Sequence, residues 1–82
     1  MIRVQLKLFA MFREKMNADE MPLELDDGAT VGQCFDRFCQ RMGTPVDLRA
    51  CTLLAVNQEY AAPSTRLKDG DEIAFIPPVA GG

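Results

Sequence analysis

Residues 2–9 alternate strictly between apolar and polar positions. Ile2, Val4, Leu6 and Leu8 fall on one side, and Arg3, Gln5, Lys7 and Phe9 on the other. Successive side chains of a strand point to opposite faces, so this pattern predicts a strand with one buried face. Phe9 interrupts its polar side. Residues 10–17, AMFREKMN, suit a short helix in which Phe12 and Met16, four apart, cover the sheet. Residues 21–25 alternate again, with Met21, Leu23 and Leu25 on one side. Pro22 cannot donate to a ladder, which predicts an edge strand or a strand start.

Asp26-Asp27-Gly28 predicts a turn. Thr30-Val31-Gly32-Gln33 reads as a capping box, with Thr30 as N-cap and Gln33 reaching back to it. The spacing of Val31, Cys34, Phe35, Phe38, Cys39 and Met42 predicts a helix with one apolar stripe, stopped by Gly43. Residues 44–50 read as a loop. Residues 52–57 predict a strand with Leu54 and Val56 inward and Leu53, Ala55 and Asn57 outward. Asn57-Gln58 turns the chain into a short return at Glu59-Tyr60. Residues 62–68 are irregular, with Leu67 as a core anchor. Asp69-Gly70 carries the signal of a tight hairpin turn. Residues 71–76 form the last strand, with Ile73 and Phe75 inward and Glu72, Ala74 and Ile76 outward. Strand segments around one main helix predict an α+β domain over residues 1–76. It is a mixed sheet of about five strands with the helix packed on one face, its first and last strands paired at the centre. Residues 77–82 form a flexible tail.

Composition narrows what such a domain does. With 82 residues there is room for one small core and no second domain. Nine basic and twelve acidic residues leave a net charge of −3, against a nucleic-acid role carried by bulk charge. No apolar run approaches the roughly 20 residues needed to span a bilayer, and the alternating start is unlike a secretory segment. Neither nucleic acid nor membrane is expected as a partner. Three cysteines with no C-x-x-C pair suggest free thiols in a reducing cytoplasm. Cys34 and Cys39 lie on the apolar stripe and read as small core residues rather than as persulfide carriers. Cys51 lies beside a loop, with Arg49 the one neighbour able to lower its pKa. The chain has no histidine, which excludes His-based metal sites, Ser-His-Asp triads and His general bases within it.

The chemistry-bearing segment is Pro77-Pro78-Val79-Ala80-Gly81-Gly82. The prolines end the last strand because neither can donate to a ladder. Six extended residues reach about 20 Å, enough to enter a pocket on another protein. Glycines without Cβ fit a narrow groove, and a terminal glycine offers the least hindered carboxylate a peptide has. A carboxylate is a poor electrophile. To react it needs activation, for which an acyl-adenylate made from ATP is the usual route. Glycine is also common at frayed chain ends, so the dipeptide alone leaves both readings open.

The stretches Leu54-Ala55-Val56-Asn57-Gln58, Asp69-Gly70-Asp71-Glu72-Ile73-Ala74-Phe75 and Ile76-Pro77-Pro78-Val79-Ala80-Gly81-Gly82 resemble the small subunit of molybdopterin synthase, the MoaD family of the ubiquitin-like ThiS/MoaD superfamily. The opening strand, Phe9-Ala10 and the Arg13-Glu14 helix are similar too. The resemblance implies a ubiquitin-like β-grasp fold and a sulfur carrier that binds no cofactor and has no catalytic side chains of its own. In that scheme a ubiquitin-activating-type adenylyltransferase (MoeB-like) uses ATP to adenylate Gly82. A sulfur donor converts it to a thiocarboxylate, and a large subunit (MoaE-like) receives the tail. Sulfur then passes to cyclic pyranopterin monophosphate, forming the molybdopterin dithiolene. Alternatives are sulfur carriage for thiamine or tRNA thiolation, or a ubiquitin-like protein modifier.

Phe9, Tyr60 and Ile76 are apolar residues on strand faces that otherwise read polar. The resemblance implies partner contacts for them; simple packing, for instance under the 44–51 loop, is the competing reading. Asp69, Asp71 and Glu72 read as a solvated hairpin or as acids facing a basic partner.

Overall fold

A computed structural model describes residues 1–43 and 52–77. The elements run β1 (Ile2–Leu8), α1 (Ala10–Met16), β2 (Glu20–Leu25), α2 (Val31–Met42), β3 (Leu53–Val56), β4 (Glu59–Tyr60) and β5 (Glu72–Ile76). The strands form one sheet in the order β2-β1-β5-β3-β4. β1 and β5 are parallel at its centre, while the other pairings are antiparallel. β2 is an edge strand, as Pro22 requires.

The core lies between α2 and one sheet face. Thr30 Oγ1 accepts from the Gln33 N–H at 3.2 Å, and Gln33 Oε1 accepts from the Thr30 N–H at 2.9 Å, completing the capping box. Two further N–H groups of the first turn, on Val31 and Gly32, donate to the carbonyls of Thr65 and Pro63. The irregular segment after β4 thus satisfies donors that a helix start leaves without partners. At the other end Gly43 takes a left-handed conformation (φ 74°) that a side chain would oppose. All six stripe residues of α2 are buried against Val4, Leu6, Leu8, Leu54, Ile73 and Phe75. Phe12, fully buried, meets Phe35 and Phe38 edge-on at centroid distances of 6.0 and 5.5 Å, and Phe75 meets Phe35 at 4.9 Å. Leu67 is buried as the sequence indicates.

Three expectations change. The strand predicted over 2–9 ends at Leu8, and Phe9 becomes the N-cap of α1. Asp69-Gly70 is a turn but not a hairpin, because β5 pairs with β1 and β3 and with no strand directly before the turn. The turn instead docks on the start of β1: Asp69 Oδ1 accepts from the Arg3 N–H at 2.8 Å, and the Gly70 N–H donates to the Arg3 carbonyl at 2.8 Å. Ala55 points away from α2 yet is buried, because its methyl is flanked by Tyr60 and Ala74 on neighbouring strands.

Candidate functional site

The sheet face opposite α2 is where the register assembles the apolar residues that the sequence left unexplained. Residues directly opposite in a ladder share a face. One row therefore crosses the whole sheet: Tyr60, Ala55, Ala74, Lys7, Glu20. A second row pairs Leu53 with Ile76. On the β4–β3–β5 half of this face Tyr60, Leu53, Ala55, Ala74 and Ile76 form an apolar patch that ends at Glu72, and the β1–β2 half carries Arg3, Gln5, Lys7, Glu20 and Glu24. Tyr60 is 75% exposed, Leu53 53% and Phe9 47%, with Ile76 half-buried.

Phe9, Tyr60 and Ile76 are thus at the surface, and Tyr60 and Ile76 share one face. Phe9 follows the Leu8–Phe75 pair, so it leaves β1 beside the end of β5. Leu53 joins them; its outward position was legible from alternation, but its place opposite Ile76 depends on a pairing that sequence does not specify. Packing of these residues under the 44–51 loop concerns a segment outside the described residues. Pro77 is buried at the end of β5. Pro78, Val79, Ala80, Gly81 and Gly82, like Cys51, lie outside the described residues.

An open cleft of about 500 Å³ joins the two halves of the face. Leu8, Phe9 and Ala74 supply its apolar lining and Lys7, Glu20, Glu72 and Gln58 its polar one. Lys7 forms an ion pair with Glu20. The hydrogen bond to Glu20 raises the Lys7 ammonium above its ordinary pKa, desolvation opposes it, and the charges of Glu20 and Glu72 add to the rise.

The acids near β5 have a role that residue pattern alone did not reveal. Asp71 Oδ2 accepts from the Lys68 N–H at 2.7 Å, and Asp71 Oδ1 accepts from Asn57 Nδ2 at 3.0 Å. They fasten the turn and the start of β5, although Asp69 remains exposed. Local hydrogen bonding of Asp to a nearby N–H is a readable signal; the long-range bonds to Arg3 and Asn57 are not. Cys34 is fully buried, and loss of hydration pushes its thiol up to about 12. It is a core residue at neutral pH, as its place on the stripe indicates. Cys39 is buried as well.

A five-stranded mixed sheet with its first and last strands parallel at the centre and one long helix across one face defines a ubiquitin-like β-grasp protein. The chain belongs to the ThiS family, which it matches over residues 6–82. It is 42% identical over 85 residues to a protein of Mycobacterium tuberculosis named molybdopterin synthase sulfur carrier subunit, covering all of both chains. Among solved structures, it is similar to a putative molybdopterin converting factor, subunit 1, from Pyrococcus furiosus. The two share 32% identity over 96% of this chain and 100% of that one, with a TM-score of 0.81. It also resembles the small archaeal modifier protein SAMP1 of Haloferax volcanii, with 28% identity, 98% and 99% coverage and a TM-score of 0.82. Among the described residues no helix is long and apolar enough to cross a membrane.

Proposed function

We propose that this chain is the sulfur-carrying subunit of a molybdopterin synthase, with the Gly82 carboxylate as the reacting group. The observation that carries the reading is the full-length likeness to a molybdopterin synthase sulfur carrier subunit, on a fold whose last strand leads the chain to Gly81-Gly82.

The chemistry runs in three steps. A carboxylate oxygen of Gly82 attacks the α-phosphate of ATP on an adenylating partner, and pyrophosphate leaves. The sulfur of a donor then displaces AMP from the carbonyl carbon. Sulfide gives the thiocarboxylate directly, whereas a persulfide gives an acyl disulfide that a second thiol cleaves, releasing the thiocarboxylate and leaving a disulfide on the donor side. In the active site of a large subunit that sulfur attacks cyclic pyranopterin monophosphate to form a thioester, and water hydrolyses it, leaving the sulfur on the pterin and returning Gly82 to a carboxylate. This chain supplies the tail, through Val79, Ala80 and Gly81, and a docking face of Phe9, Leu53, Tyr60 and Ile76. Apolar residues exposed on one sheet face suit a partner that covers them. The terms sulfur carrier "subunit" and converting factor "subunit 1" in the names of its relatives support an assembly with a larger partner.

Intact-mass spectrometry after incubation with adenylating enzyme, ATP and sulfur donor tests the reading. The expected product has one oxygen replaced by sulfur at Gly82, and the starting mass checks whether Gly82 is the terminal residue. An unchanged mass with ATP consumed overturns the carrier role.

A second reading is favoured by the likeness to SAMP1, named as a modifier protein. The same acyl-adenylate would then be attacked by a lysine amine of another protein, forming an amide with Gly82. Conjugates that appear without any sulfur donor would identify this outcome.

A further inference from the structure

The junction between β1 and α1 carries a backbone conformation that its residue type disfavours. Ala10 has φ 49°, in the left-handed region, and its Cβ crowds the backbone there. Three neighbouring interactions hold it in place. The Leu8 N–H donates to the Asp19 carbonyl at 2.8 Å, fixing the end of β1. The Phe12 N–H donates to the Phe9 carbonyl at 3.1 Å, closing a turn around Ala10. The Phe12 ring is then locked among Phe35 and Phe38. The result is a reversal within four residues: Phe9, extended at φ −129°, is directed to the surface, and Phe12 into the core. Gln58, which also lines this cleft, has a left-handed φ of 72° as well.

Strained residues that persist at a surface cleft point to positioning. Glycine would adopt the Ala10 conformation without steric cost, but it would also let the chain swing on either side of it. We propose that Ala10 is a positioning residue. Its restricted backbone, held left-handed by the flanking hydrogen bonds, fixes Phe9 on the wall of the cleft in the orientation a partner meets. This rests on the reading of that face as a docking surface, and it adds the residue that orients the exposed ring.

The test compares Ala10→Gly, Ala10→Asn and Ala10→Val in the full chain. Glycine and asparagine both tolerate left-handed backbone, whereas valine is the worst choice there. The expected midpoints of thermal unfolding for Gly and Asn lie at or above that of the parent, and Val falls by about 4 °C or more. On the isolated chain, three-bond NMR couplings of Phe9 should report one rotamer in the parent and in Asn, and averaging in Gly. In calorimetric titration with the adenylating enzyme, Gly should bind about fivefold more weakly despite its stability, the scale of re-ordering one side chain on binding. Asn should bind like the parent. A Val variant as stable as the parent overturns the left-handed geometry. A Gly variant with an ordered Phe9 overturns the positioning role, as does one with parental affinity. If the parent itself does not bind the enzyme, the docking reading fails, and the Phe9 couplings still decide what Ala10 does.

Discussion

Ile76, the last residue of β5, lies directly opposite Leu53, the first of β3, on the sheet face that α2 leaves open. Neither side chain belongs to the core, so a carboxylate at either site stays hydrated in the isolated domain. In a complex that covers the face, the same charge is desolvated without a partner. Leu53→Asp and Ile76→Asp are expected to keep the circular dichroism spectrum and to weaken binding to adenylating enzyme or large subunit by at least about tenfold, or about 1.4 kcal/mol. Phe9→Asp belongs to the same series. Unfolding of the isolated variants would show that this face is packed by the chain itself.

Asn57 ties two strands together. Its N–H donates to the Glu72 carbonyl at 2.7 Å, and its side-chain oxygen accepts from the Glu72 N–H at 3.0 Å. Its Nδ2 reaches Asp71, and its own φ is 51°, a conformation asparagine tolerates better than most residues. Asn57→Ala removes the side-chain bonds and leaves alanine in the left-handed region. The expected loss is about 3 kcal/mol by denaturant titration, the sum of two hydrogen bonds at about 1 kcal/mol each and about 1 kcal/mol for left-handed alanine. Asn57→Gly, which keeps the backbone geometry, should lose less. Equal losses would show that the backbone conformation contributes nothing.

The contrast between α2 and the Asp69-Gly70 turn shows what the sequence makes legible. The start, stripe and stop of α2 are written within a dozen or so consecutive residues, as Thr30 with Gln33, a run of 3–4 spacings, and Gly43. Each signal is satisfied inside the element or at its face, so reading it needs no knowledge of the rest. A turn dipeptide fixes only a change of direction. Whether Asp69-Gly70 folds two strands together or lays β5 beside β1 depends on Arg3, sixty-six residues from Asp69. The site divides the same way. Alternation places Leu53, Tyr60 and Ile76 outward, but only the strand order sets Leu53 beside Ile76. No residue pattern marks Ala10, since alanine is a poor choice for the conformation it holds.

Cys34 gives a pH-dependent expectation with a definite sign. Burial raises its thiol from 9.0 to about 12, so the folded state resists ionisation that the unfolded chain allows. The contribution to stability is whole below pH 9.0 and is lost as pH climbs from there toward about 12, at about 1.4 kcal/mol per pH unit from this one group. Denaturant titrations of the parent and Cys34→Ala across that window isolate the effect. The variant starts less stable because of the cavity, and its stability should fall less steeply with rising pH. Parallel curves would show that the thiol is hydrated in the folded chain. Below pH 9.0 the folded protein should also resist thiol alkylation at Cys34, and sulfur acceptance per folded molecule should survive the substitution.

The last expectation separates the pathways a Gly-Gly carrier could serve. β5 ends at Ile76, and the next residue, Pro77, is buried and cannot donate to the ladder. The chain therefore leaves the sheet at a defined point, with its first step fixed in φ, so less freedom is lost when the Gly-Gly end enters a partner. A partner shaped to that exit should discriminate against carriers whose last strand runs straight into Gly-Gly. Thiocarboxylated chain mixed with a molybdopterin synthase large subunit and cyclic pyranopterin monophosphate is expected to yield molybdopterin. With a thiazole synthase and its substrates it should yield little thiazole. Pro77→Ala should slow the first reaction several-fold while leaving thiocarboxylate formation intact, because ordering one more backbone residue costs about 1–2 kcal/mol. Removal of Gly82 should abolish both reactions with no change in thermal midpoint. Should thiazole form and molybdopterin not, the carrier chemistry at Gly82 stands and the acceptor assignment is wrong.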